Sequence, residues 1–333
     1  MAHLEKTQLQ LGYIPLLDCV ALLWAKQRGF FEEVGLDVSL VKEASWASLR
    51  DRLAFGFLDA AHCLSAMLPA AALAQDQLGI PLQTPLVLSY NSAFISLSQK
   101  LCYALNIQKN DDAAVTAHKF YTAMQHKQQL AIAHVFKQSI HHYCLREWLA
   151  LANPDFAKHV QLRTLPPPYM VEAISNQLIE GFCVGEPWNT QAEIQGYSQI
   201  IATGTDIIPR VADKVLAVTQ EWAISNPNTL SALVQAIEKA QDELKKMENF
   251  EAVWQVLVDY NIIRFPCSDS VHVEKYYLIQ SIIRGFIREH ALPQVSDFIW
   301  LTEQMQKWDD VDLNNDEIRR ISDNCVISPK LNF

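Results

Sequence analysis

The chain has 333 residues, half of them hydrophobic and 19% charged, and its 27 Lys and Arg against 37 Asp and Glu give a formal charge of −10. That is a globular composition with enough chain for two compact lobes. The acidic balance argues against a surface that grips nucleic acid or anionic lipid, yet it leaves room for a buried anion site, where local dipoles outweigh net charge.

Short apolar runs alternate with helical patterns from the first residues onward. "QLQLGYI" (8–14) reads as a strand and "CVALLWAKQRG" as a helix stopped by Gly29. Next come strand "LDVSLVKE" and helix "SWASLRDRLAF", with Ser45 placed to cap it. Strand "LDAAHCL" (58–64), helix "AMLPAAALAQDQ" and strand "TPLVLSY" (84–90) follow. The alternation continues with helix "DDAAVTAHKFYTAMQ", a strand over 130–136, helix "HHYCLREWLALA" and strand "HVQLRTL". A Pro-rich turn leads to helix "YMVEAISNQL", strand "GFCVG" and a helix opening at Pro187. Such alternation predicts parallel sheets with helical crossovers, whose loops at the carboxyl ends of strands are where ligands bind. Beyond residue 220 the pattern turns helical, most clearly in "NTLSALVQAIEKAQDELKKM" (228–247).

Four segments place polar groups at these junctions. In "EASWASLRD" (43–51), Trp46 stands in the first turn of a capped helix, where it walls a pocket or merely staples its own lobe. "LSYNSAF" (88–94) ends a strand in small polar residues, as a site or as an ordinary turn. His134 lies in an apolar strand, where a buried ring must find a partner, ligand or not. His141 and His142 are neighbours in a helix and point to different faces, which rules out a zinc pair of i, i+4 geometry. In "GFCVGEPW" (181–188) a helix start offers unpaired N–H groups to an anion, unless Glu186 takes them as a cap. No G-x-S-x-G, P-loop, G-x-G-x-x-G or H-E-x-x-H occurs, so the chain reads as a binding protein that needs no metal or cofactor.

Taken together, "LGYIPLLDC…LLWAKQRGFFEEVGLDVSL", "SWASLRDRLAFGFLDAAH", "AHVFKQSIHHYCLREWLA", "PPPYMVEAISNQLIEGFCVGEPWN" and "DKVLAVTQEWAISNPNT" resemble the nitrate-binding protein family (NrtA/NasS-like). These are solute-binding components of nitrate and bicarbonate ABC transporters and their sensor relatives. The resemblance implies an α/β, two-lobed periplasmic-binding-protein type II fold with parallel-rich sheets and a helical C-terminal region. Lobe I would comprise 1–90, lobe II 91–210, and 211–333 would return to lobe I. It implies a nitrate or nitrite anion held between the lobes by Trp46, Asn91, His134, Gly185 and Lys214, with Glu186 and Trp188 completing the "G-E-P-W" element. The hinge departs from the family, with Asn91-Ser92-Ala93 where relatives carry a glycine-bearing run.

The chain shows no basic leader with an apolar core and no run of roughly 18 apolar residues, and its seven cysteines are scattered singly. On that ground it resembles the cytoplasmic nitrate/nitrite sensors, which hold an RNA-binding antiterminator inactive until ligand binds. The alternative is the binding component of a nitrate, bicarbonate or sulfonate importer.

Overall fold

A computed structural model describes residues 3–108, 110–126, 130–287 and 291–327. The chain forms two compact units, one of Met1–Tyr90, Ala212–Arg264 and Tyr277–Phe333, the other of Asn91–Val211 and Phe265–Tyr276. Residues 265–276 thus pack with the second unit although the helical segments flanking them pack with the first.

The first unit is built on strands β1 (Gln8–Tyr13), β2 (Asp37–Lys42), β3 (Ala60–Leu64) and β4 (Leu82–Tyr90). The second holds β5 (Phe94–Ser98), β6 (Ile132–His134), β7 (Leu162–Thr164), β8 (Gly181–Val184) and β9 (Ser198–Thr203), and β10 (Ala212–Thr219) returns to the first. The sheet orders are β2-β1-β3-β10-β4 and β7-β6-β8-β5-β9. β1 runs parallel to β2 and β3, whereas β10 is antiparallel to β3 and β4. In the same way β6 is parallel to β7 and β8, and β5 antiparallel to β8 and β9. Both sheets are therefore mixed but parallel-rich, as the resemblance implies, with a single antiparallel strand inserted in each. The inserted antiparallel strands, "FISLS" and "ADKVLAVT", are buried along almost their whole length, and short buried strands carry no local mark of direction.

Local signals explain much of the remaining framework. Ser45 Oγ accepts from Ser48 N at 3.2 Å and starts the helix Trp46–Ala54. Gly29 stops Val20–Gln27 in the left-handed region at φ +72°. Pro227–Lys246 is a 20-residue helix with one buried stripe. At Gly181 a Cβ would stand 2.5 Å from Leu97 Cδ2 and 2.8 Å from the Ser96 carbonyl oxygen, so only glycine lets β8 lie this close to β5.

Candidate functional site

In the first unit the polar residues meet in one buried cluster. β10 slips register between Ala212 and Lys214, and this bulge lets consecutive side chains, Asp213 and Lys214, act together. Lys214 Nζ donates to Asp213 Oδ1 at 2.7 Å and lies 3.2 Å from Asp18 Oδ2. Asp18 Oδ1 accepts from His62 Nε2 at 2.8 Å, and its Oδ2 from Ser89 Oγ at 3.3 Å. Ile14 N–H approaches His62 Nδ1 at 3.5 Å, and Nε2 is the ring nitrogen that faces Asp18. Burial alone would lower the Lys214 ammonium, but the charges of Asp18 and Asp213 outweigh it and hold it above its ordinary range. Burial likewise works to raise Asp18, and Lys214 and His62 outweigh it and hold the carboxyl well below the usual range. Asp213 is raised, because burial and the neighbouring Asp18 charge prevail over Lys214.

Trp46 lies against this cluster, 1% exposed, with its ring 5.7 Å from that of His62 and 5.8 Å from Lys214 Nζ. Its indole N–H is buried and has no hydrogen-bond partner among the described residues. A donor left so typically costs about 1–3 kcal/mol, so the indole is the clearest poised donor of this unit.

In the second unit His134 is 3% exposed. Its Nδ1 lies 2.8 Å from the Phe136 carbonyl oxygen and its Nε2 3.1 Å from Thr164 Oγ1, with the His142 ring 4.7 Å away. Burial pushes His134 down to about 4, so at neutral pH the ring is uncharged. Nδ1 then donates to the carbonyl and Nε2 accepts from the hydroxyl, and both ring nitrogens are engaged. Asn91, at φ +46°, accepts from Val211 N at 2.8 Å and donates to Pro209 O at 3.0 Å. Its amide thus ties the first residue of this unit to the loop 208–211.

Gly185 follows β8 and is buried, as is Trp188. The helix beyond runs Trp188–Ile194, with Pro187 one position earlier than the sequence places it, as its N-cap rather than its first turn. Glu186 Oε2 accepts from Thr190 N and Oε1 from Thr190 Oγ1, both at 3.0 Å. Glu186 therefore supplies the anion for its own helix start. That resolves the choice left open by "GFCVGEPW", in favour of the cap.

Burial raises the Glu186 carboxyl to about 7 from its ordinary 4.5. Between these two values the folded protein keeps a proton that the unfolded chain releases, so stability falls as pH rises, by about 3 kcal/mol in all. His134 acts oppositely. Between its ordinary 6.5 and about 4 the unfolded chain takes up a proton that the folded chain refuses, so stability falls on acidification. Glu186→Gln is expected to remove the first slope and gain on wild type between pH 5 and pH 8 in urea unfolding. Equal pH profiles for the two proteins would contradict this placement.

The structure thus joins Trp46 and Lys214 in the first unit, and places Asn91, His134, Gly185, Glu186 and Trp188 in the second. Sequence reasoning missed Asp18, His62 and Asp213. A lone acid inside "IPLLDCVALL" was the available signal, since a carboxylate in an apolar run needs a buried partner. Among the described residues no group of three or more His, Cys, Asp or Glu is placed to hold a metal ion. No helix among them is long and apolar enough to cross a membrane.

A family model described as the NMT1-like family matches residues 2–258. The chain is similar to the bicarbonate transport ATP-binding protein CmpC of Synechocystis sp., with 34% identity over 328 residues, 92% of this chain and 47% of that one. It is equally similar to the nitrate/nitrite binding protein NrtA of Nostoc sp., 34% identical over 283 residues, 81% of this chain and 61% of that one. The chain therefore spans about half the length of the curated relatives it matches. In fold it matches the crystal structure of the periplasmic nitrate-binding protein NrtA from Synechocystis PCC 6803, with TM-score 0.84 and 24% identity over 98% of this chain and 87% of that one. The alkanesulfonate-binding protein SsuA from Xanthomonas axonopodis, bound to MOPS, matches at TM-score 0.59 and 15% identity, over 87% of this chain and 98% of that one. The fold is the periplasmic-binding-protein type II fold.

Proposed function

We propose, starting from a chain that belongs to the NMT1-like family, that it binds one small oxyanion of the nitrate, nitrite or bicarbonate type. The observation that carries this reading is the buried, unpartnered indole N–H of Trp46 beside the buried ammonium of Lys214. In our reading these two donors of the first unit bond the anion, while within the second unit the His134 ring nitrogens and the Asn91 amide are already taken by Phe136, Thr164, Val211 and Pro209. Glu186 caps the helix that follows the "G-E-P-W" element, and Trp188 is buried at its start. Hydrogen bonds to a charged group contribute about 1.5–3 kcal/mol each, and micromolar affinity requires about 8 kcal/mol. A handful of aimed donors reaches that figure without a net positive protein.

The anion serves import or regulation. Relatives named for bicarbonate transport and nitrate binding favour the binding component of an ABC importer. The regulatory reading, a cytoplasmic nitrate or nitrite sensor that holds an RNA-binding antiterminator, draws support from the charge of −10, which suits a basic partner. A thermal-unfolding screen against nitrate, nitrite, bicarbonate and methanesulfonate tests the binding claim. An anion present at about 100 times its Kd adds about 2.7 kcal/mol of stability. A shift with at least one anion and none with chloride is expected, and no shift with any would refute the reading. Co-purification with an antiterminator separates the two roles. By linkage a sensor must release its partner when anion is added, and a complex indifferent to nitrate would leave import standing.

A further inference from the structure

The buried cluster of the first unit has an unusual charge count for a place that receives an anion. One ammonium, Lys214, stands between two carboxylates, Asp18 and Asp213, and none of the three side chains is more than 1% exposed. His62 faces Asp18 Oδ1 through Nε2 and the Ile14 N–H through Nδ1, and the buried thiols that sense this cluster, Cys19 and Cys63, are both pushed up and so uncharged. With both carboxylates ionised, Lys214, Asp18 and Asp213 together carry −1, and an anion beside Trp46 would make that −2 among side chains that are all buried. Buried charge of that kind is neutralised by proton uptake rather than tolerated.

The two acids differ in where a proton can go. Both oxygens of Asp18 already accept, Oδ1 from His62 and Oδ2 from Lys214 and Ser89. Asp213 uses only Oδ1, and its Oδ2 is buried with no hydrogen-bond partner among the described residues. We propose that the site takes up one proton with each anion and that Asp213 carries it. The protonated oxygen changes from an acceptor that repels an oxyanion into a donor that can meet one. Asp213 is thereby a specificity-determining residue of the binding function proposed above, on which this inference rests. The raised position of its carboxyl agrees with the assignment.

The test is calorimetric titration of the full chain with nitrate, nitrite and methanesulfonate, which do not themselves titrate near neutral pH. Each is run from pH 6 to pH 9 in two buffers of different ionisation enthalpy. Wild type is expected to take up one proton per anion at the alkaline end, with Kd rising about tenfold per pH unit there. Asp213→Asn is expected to flatten that profile and abolish the uptake. Should this variant fail to fold, a protonated-carboxyl infrared band that appears in wild type on nitrate addition decides the matter. Anion binding without proton uptake would overturn this proposal alone. Loss of the uptake in Glu186→Gln with its retention in Asp213→Asn would do the same, by moving the proton to the other raised acid. Failure to bind any of the three anions would overturn it together with the proposed function.

Discussion

Lys214→Met is expected to destabilise the protein by about 3–5 kcal/mol, the usual result of removing one partner from a buried ion cluster. The ammonium is entirely buried and holds two carboxylates at 2.7 and 3.2 Å, so its loss leaves Asp18 and Asp213 facing each other without a cation. Both would then bind protons more readily in the folded state than in the unfolded chain. The deficit should therefore grow as pH rises above the ordinary carboxylate range and shrink below it. Urea unfolding at pH 5 and pH 8 checks both points. A loss below about 1 kcal/mol, or one independent of pH, would show that the cluster is not the electrostatic anchor described here. A simple reading of Lys214 as a ligand donor predicts lost affinity with an intact fold. The geometry instead makes the residue a structural cation first.

Trp46→Phe is expected to behave in the opposite way, with little change in stability and at least tenfold weaker anion binding. The indole N–H bonds to nothing among the described residues, so its removal also removes a buried donor that costs about 1–3 kcal/mol unsatisfied. That gain offsets the packing lost when the second ring goes. In the complex the same N–H would bond a charged oxygen, a contact that contributes about 1.5–3 kcal/mol, which sets the size of the expected loss in affinity. Paired unfolding and titration measurements separate the two effects. Large destabilisation with unchanged affinity would return Trp46 to the role of a packing residue.

What could be read from the sequence divides along the range of the interactions concerned. Ser45, Gly29 and the helix Pro227–Lys246 are governed by neighbours within a few residues, and they fall where their local chemistry puts them. The direction of β5 and β10 depends on where the chain leaves one sheet and enters the other, and nothing in "FISLS" or "DKVLAVT" encodes it. The pairing of Asp213 with Lys214 was hidden for a related reason. Adjacent residues on a regular strand point to opposite faces, and only the bulge in β10 brings them together. Glu186 was legible as far as two alternatives, and the oxygen-to-Thr190 distances of 3.0 Å selected the cap. His134 shows the limit most plainly. A histidine in an apolar strand announces a need for partners, but only the structure supplies the Phe136 carbonyl and the Thr164 hydroxyl that meet it.

The central claim is that this chain binds a small oxyanion through the Trp46 indole and the Lys214 ammonium. Its most direct test is a crystal structure of the full chain grown with nitrate and, in parallel, with chloride. The account predicts flat, trigonal density within hydrogen-bond distance of Trp46 Nε1 and Lys214 Nζ in the nitrate crystal and its absence in the other. Nitrate bound elsewhere while the Trp46 N–H stays unpartnered would contradict it.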